Sequence, residues 1–162
     1  MLDKTRIYLR QLERRIIMNW KKESENELRD YGRKQVALIN IPKFLDHIKY
    51  ELSLIEKNKT DFEYNRNAKN KWDDLFIENI VKKNELERNL FLTKSRIELV
   101  ERGLCGVTND ERRLLKLFYI DRPDDCVQKL CDEFDYEKSS IYNCKDVALR
   151  KFTMAMYGVN HI

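Results

Sequence analysis

Between Ile41 and Leu104 the apolar residues recur in steps of four and three, a pattern that restricts the fold of this chain more than any other feature. In its later half Trp72, Phe76, Leu86, Leu90, Ile97, Val100 and Leu104 share one register, interrupted by Asn79, Lys83 and Thr93. At 3.6 residues per turn this spacing puts all seven on one side of a helix. Neighbouring Leu75, Ile80, Val81, Phe91 and Leu99 widen the stripe beyond a two-stranded seam, so more than one helix must pack on it. The helix is expected from about Trp72 to Arg102, roughly 45 Å long, with Gly103 placed for a C-terminal stop. In the earlier half Ile41, Leu45, Ile48, Leu52 and Ile55 form a heptad seam that resumes at Phe62. Only four Gly and two Pro, with 37% charged residues, suit such a helix-rich chain.

Upstream, residues 3 to 31 read as a first helix with Leu9, Leu12, Ile16, Ile17 and Trp20 on its apolar side, ending at Gly32. VALINIP reads as a short apolar link, and Pro42 suits the first turn of the next helix. EYNRNAKNK is expected to turn the chain around Asn65 to Asn70. Two arrangements satisfy these patterns. The three long helices pack on one another as an antiparallel bundle, or part of the stripe pairs with a second copy of the chain. In the second case Asn79 would fix the register, as single polar seam residues do in coiled coils.

The chain changes character after residue 104. Thr108 and Glu111 have the spacing of a capping box, opening a helix that carries Leu114, Leu115, Leu117 and Phe118. Residues 130 to 152, LCDEFDYEKSSIYNCKDVALRKF, then follow the pattern of a helix-turn-helix. That motif needs a small residue where the second helix crosses the first, a tight turn four residues later, and a branched apolar residue six further on. Cys131, Asp135 and Ile141 stand at that spacing. Leu130, Phe134 and Cys144 fall between the two helices, and Ala148 keeps the next turn close-packed. Asp135 stands where a turn glycine is frequent, and Asp tolerates left-handed geometry better than most residues.

VTNDERRLLKLFY, LCDEFDY and KSSIYNCKDVALRKF resemble, in that order, the first helix, the support helix with its turn, and the recognition helix of region 4 of housekeeping-type bacterial sigma factors. The ALRK run from Ala148 to Lys151 is similar to the end of that domain. With long helices in front and MYG near the end, the layout also resembles the late-gene transcription activators of phages of Gram-positive bacteria, the RinA/ArpU type. The resemblance implies a phage or prophage transcription regulator that binds double-stranded DNA, with the start of the recognition helix in the major groove. The matching base-reading positions are Lys138, Ser139, Ser140, Tyr142 and Asn143. Asn143 would pair with adenine and Lys138 with guanine, Ser139 and Ser140 suit a phosphate or either base, and Tyr142 would pack on a thymine methyl. Arg112, Arg113, Lys145 and Arg150 would serve the backbone. Where the sigma-type helix presents more arginine and glutamate, this one has Ser139, Ser140 and Tyr142, so the bases read must differ.

Charge complicates that reading. From 105 to 162 there are nine basic and ten acidic residues, a net of −1, whereas phosphate neutralisation supplies most non-specific DNA affinity. Residues 1 to 35 hold ten basic against six acidic residues, either a solvated helix face or a surface for phosphates or an acidic partner. A dimer or this basic first helix would have to help. The deficit also keeps a second class open, a non-enzymatic module that docks on host RNA polymerase or another host protein, as region-4 domains do.

Other classes find little support. There is no glycine-rich phosphate loop, no Gly-x-Ser-x-Gly elbow and no histidine triad. His47 sits in an amphipathic helix and His161 near the end of the sequence, so no enzyme activity and no cofactor are expected. Cys105, Cys126, Cys131 and Cys144 lack the paired spacing of a zinc site and fit reduced thiols. With charged first turns no signal peptide is expected, and no apolar run approaches the roughly 20 residues that span a bilayer. The expectation is an all-α cytoplasmic protein of a bacterial host cell. Residues 1–104 would form a helical or coiled-coil region for homo-oligomerisation, most simply as a dimer, and residues 105–162 a helix-turn-helix domain.

Overall fold

A computed structural model describes residues 19–58 and 66–159, the side chains of 66–70 excepted. Among these residues every regular element is helical and no strand occurs. The elements are α1 (Trp20–Lys57), α2 (Arg66–Cys105), α3 (Asn109–Leu115) with a π-helical continuation over Lys116–Asp121, α4 (Cys126–Phe134) and α5 (Lys138–Tyr157). Among the described residues no helix is long and apolar enough to cross a membrane. Leu9, Leu12, Ile16, Ile17, Phe62 and His161 lie outside the described residues.

α1 differs from the sequence expectation. The side chain of Asn19 accepts from the Lys22 N–H at 3.0 Å and caps the helix, which then runs unbroken through Gly32 and Pro42 for 38 residues. The expected stop at Gly32 and the link VALINIP are both helical. A mid-helix glycine costs only about 1 kcal/mol and a proline about 3 kcal/mol. Burial of Leu28 on one side of these residues and of Leu45, Ile48 and Leu52 on the other is worth more than that, at roughly 1.5–3 kcal/mol per large aliphatic side chain. α2 likewise begins at Arg66, inside the expected turn, and passes through Gly103 to Cys105. Gly103 is there for packing: a Cβ on it would lie 2.6 Å from Cε2 of Phe152 and 3.2 Å from Cβ of Met156.

The chain divides into two compact units, one from residues up to Gly32 and from Glu98 onward, the other from Arg33 to Ile97. In the second, α1 and α2 run antiparallel. Trp72 Nε1 donates to the Ile55 carbonyl at 2.9 Å, and Trp72 stacks on Phe76. Leu45, Ile48, Leu52 and Ile97 are buried. So is Asn79, whose side-chain amide donates to the Leu75 carbonyl one turn back at 3.1 Å. Asn79 borders an open cavity with Glu51, Ile55 and Lys82, so its burial arises within the chain.

The first unit holds two joined cores. Leu28, Val100, Leu115, Leu149 and Phe152 are fully buried in one, where the start of α1 and the end of α2 meet α3 and the later turns of α5. The other gathers Leu114, Leu117, Leu130 and Ile141, flanked by Cys131, Phe134 and Cys144. Cys131 and Cys144 thus fill small apolar positions between α4 and α5, and Phe118 packs against both cores.

Candidate nucleic-acid interface

Thr108 opens the region with the capping box read from the sequence. Its hydroxyl accepts from the Glu111 N–H at 3.3 Å, and the Glu111 carboxylate accepts from the Thr108 N–H at 2.9 Å. Lys151 of α5 donates to the same carboxylate, tying α5 to the first turn of α3. Partial burial pulls the Glu111 carboxyl upward, but Lys151 and Thr108 together outweigh it and leave the group below the ordinary glutamate value. Beyond Leu115 the helix widens into its π turn, which ends when the Arg122 N–H bonds to the Leu117 carbonyl at 3.1 Å with Arg122 at φ 48°. This turn buries Leu117 and Tyr119 and brings Phe118 beside α5.

α4 closes at Asp135, left-handed at φ 54° and ψ 43°. The N–H groups of Asp135 and Tyr136 both point to the Cys131 carbonyl, the latter at 3.3 Å, which satisfies the end of the helix as a Schellman motif does. Glu137 is extended and begins α5 without a side-chain cap. Three residues, Asp135, Tyr136 and Glu137, therefore carry the chain from one helix to the next, fixed by Leu130 and Ile141 beneath them.

α5 presents an outward stripe at Ser139, Asn143, Asp146 and Arg150, all exposed and spaced by four, three and four. Lys138 is exposed in the first turn, and Ser140 is half-buried. Tyr142 leans on Phe118, their centroids 5.9 Å apart, yet stays 48% exposed. The Lys145 ammonium lies 5.6 Å from the Phe118 ring centre and 5.5 Å from that of Tyr142, and pairs with Asp146 at 3.5 Å. Asp146 also receives Lys21 of α1 at 3.3 Å. Slight desolvation pulls its carboxyl upward, while the two lysines overcome this and hold it below the ordinary aspartate value.

The nominated backbone residues differ in their circumstances. Arg150 is exposed and Lys145 is engaged as described. Arg113 bonds Glu133 of α4 through both its Nε and a terminal nitrogen at 3.2 Å. Arg112 Nε donates to the Leu104 carbonyl at 3.0 Å, satisfying an end of α2. Lys138 and Arg150 are in no ion pair among the described residues.

Sequence reasoning missed several parts of this face. Asn143 borders an open cavity of about 290 Å³ with Asp110, Leu114, Phe134, Tyr136 and Val147. The π turn that supplies Phe118 has no local signal, and Lys21 and Asp146 are 125 positions apart. Among the described residues no group of carboxylates, cysteines and histidines could hold a metal ion. Cys105 is exposed and the other three cysteines are half-buried, all as free thiols.

A family model described as a protein of unknown function, DUF1492, matches residues 56–153, more than half of the chain. The chain belongs to the DUF1492 family. The DUF1492 match starts at the end of α1 and takes in α2, α3, α4 and all but the last turn of α5, so the stripe from Ser139 to Arg150 lies inside it. Lys21 and nearly all of α1 lie outside it. No curated protein and no solved structure matches the chain.

Proposed function

We propose that this protein is a sequence-specific DNA-binding transcription regulator without enzymatic activity, an activator of late genes of a phage or prophage. It reads the major groove with the first half of α5, in the manner of the sigma region 4 and RinA/ArpU proteins that its sequence resembles. The observation that carries this reading is the stripe of Ser139, Asn143 and Arg150, held outward by a three-residue turn above a closed core. Asn143 pairs with adenine and Lys138 with guanine, Ser139 and Ser140 add polar contacts, and Tyr142 offers its exposed edge to a thymine methyl. Arg150 contacts phosphate, while Arg112, Arg113 and Lys145 join it only by exchanging their present partners. A homodimer, joined through the Arg33–Ile97 unit, reads half-sites roughly 34 Å apart.

DNA selection from a random pool at near-physiological salt tests the proposal. One motif should be enriched, and Asn143→Ala should weaken its binding by about 5- to 150-fold, the value of a bidentate base contact. A second reading, docking on host RNA polymerase or another protein, draws on the net charge of −1 after residue 104 and on the apolar walls of the cavity beside Asn143. In that case no motif is enriched, and the double variant Lys138→Ala, Asn143→Ala still captures polymerase.

A further inference from the structure

We infer that Asp146 is a specificity-determining residue of the α5 face, selecting cytosine at a base pair beside the one read by Asn143. The inference rests on the DNA-binding reading above and adds one base to what α5 recognises. It starts from a conflict of charge. The outward stripe runs Ser139, Asn143, Asp146 and Arg150, so a carboxylate stands in the middle of a face that meets a polyanion. A duplex carries one phosphate charge per roughly 1.7 Å of its axis, and an unpaired anion in that place would oppose the contacts around it. The fold neutralises the group without covering it. Lys21, at the start of α1, donates to Oδ1 of Asp146 at 3.3 Å, and the Lys145 ammonium lies 3.5 Å from the same oxygen. Two cations against one anion leave the trio with a net positive charge. Lys145 is itself held over the rings of Phe118 and Tyr142, so the carboxylate is fixed from two sides. Its side chain still stays 51% exposed. Both lysines come closest to Oδ1, which leaves Oδ2 as the acceptor available to a ligand.

What a fixed, exposed acceptor recognises in the major groove follows from the base edges. Cytosine presents only its N4 amino donor there. Adenine places the N7 acceptor beside its N6 donor, thymine presents the O4 acceptor, and guanine presents the two acceptors O6 and N7. An ionised carboxylate can only accept. It therefore gains a hydrogen bond from cytosine, is opposed in part by N7 of adenine, and meets bare acceptors on thymine and guanine. Asp146 follows Asn143 by three residues, about 4.5 Å further along the axis at about 1.5 Å per residue. Successive bases of one strand are roughly 3.4 Å apart. The cytosine therefore falls within two base pairs of the adenine that Asn143 reads.

The test is DNA selection from a random pool with the full chain, run on wild type, Asp146→Ala, Asp146→Asn and Asn143→Ala. The wild-type motif should carry a cytosine within two base pairs of the adenine whose preference Asn143→Ala loses. Replacing that cytosine should weaken wild-type binding by about 5- to 150-fold, the usual cost of one mismatched pair. Asp146→Ala should erase the preference at this position and leave the other positions of the motif as they were. Asp146→Asn should change the preferred base from cytosine to adenine, because an amide pairs with N6 and N7 of adenine. The amide oxygen can still accept from Lys21, so this variant remains decisive even where Ala loosens the contact between α1 and α5. A motif identical in wild type and both Asp146 variants would overturn the inference, and if Asn143→Ala still alters that motif the α5 reading stands. A uniform loss of affinity for every sequence, with no position of the motif altered, also overturns it, since Asp146 would then serve only to hold α1 on α5. Wild-type protein that enriches no motif overturns both.

Discussion

Asp135 occupies the left-handed region at φ 54°, where an ordinary L-residue loses roughly 1–2 kcal/mol. Its short polar side chain softens that cost, and the position fixes the angle between α4 and α5. Asp135→Gly should lie within about 1 kcal/mol of wild type, because relief of strain is offset by a freer unfolded chain. Asp135→Val should lose at least about 1–2 kcal/mol, as a β-branched side chain is poorly tolerated there. The midpoint of urea unfolding at constant slope measures both. Glu111 yields a prediction of another kind. Its carboxyl is held below the ordinary value of 4.5 in the folded protein, so its ionised form stabilises the fold fully above that value. This contribution disappears as pH falls through the lowered folded value. Removing the cation by Lys151→Met should therefore shrink the loss of stability between about pH 6 and about pH 3. If the acid limb is the same in both proteins, the Lys151 contact does not contribute to the lowering.

At the scale of elements, two helical glycines separate local propensity from packing. Nothing lies within 4 Å of a Cβ built on Gly32, whereas one on Gly103 would meet Phe152 at 2.6 Å. Gly32→Ala should stabilise the protein by about 0.5–1 kcal/mol through helix propensity. Gly103→Ala should destabilise it by about 1–3 kcal/mol, since the fully buried Phe152 ring must shift. Thermal unfolding of the two variants should move in opposite directions. The same contrast explains what the sequence made legible. The Thr108/Glu111 box, the left-handed Asp135 and the seam of Leu45, Ile48 and Leu52 depend on neighbours within a few residues, and each can be read from spacing. Gly32, Pro42 and Gly103 carry stop signals of about 1 to 3 kcal/mol, and burial contributed by residues remote in sequence outweighs them. On the candidate face, the outward arc of α5 follows from helical period alone. The engagement of Arg113 by Glu133 and of Asp146 by Lys21 does not, because those partners meet only once the chain has folded.

For the whole molecule, the two units differ in how completely they close their cores. The unit containing α3 to α5 buries Leu28, Val100, Leu115, Leu149 and Phe152 entirely. Among its described residues the Arg33–Ile97 unit buries four large aliphatic side chains and an asparagine, while Ile39, Phe44, Ile77 and Phe91 stay between 59% and 69% exposed. Most helical stability in proteins comes from tertiary packing, so two helices with so little buried surface should open readily on their own. A second copy that covered these side chains would stabilise the pair by mass action and make its protection depend on protein concentration. Hydrogen exchange then separates the units. Backbone amides of residues 75–92 should exchange faster on dilution from high to low micromolar protein, while those of 114–156 keep their rates. Phe91→Glu, at the most exposed of these positions, should abolish the concentration dependence without altering exchange in α4 and α5. Exchange that is independent of concentration, together with a monomer mass, would mean that the helix pair stands alone. Each α5 would then act singly, and a footprint on selected DNA would cover one half-site rather than two.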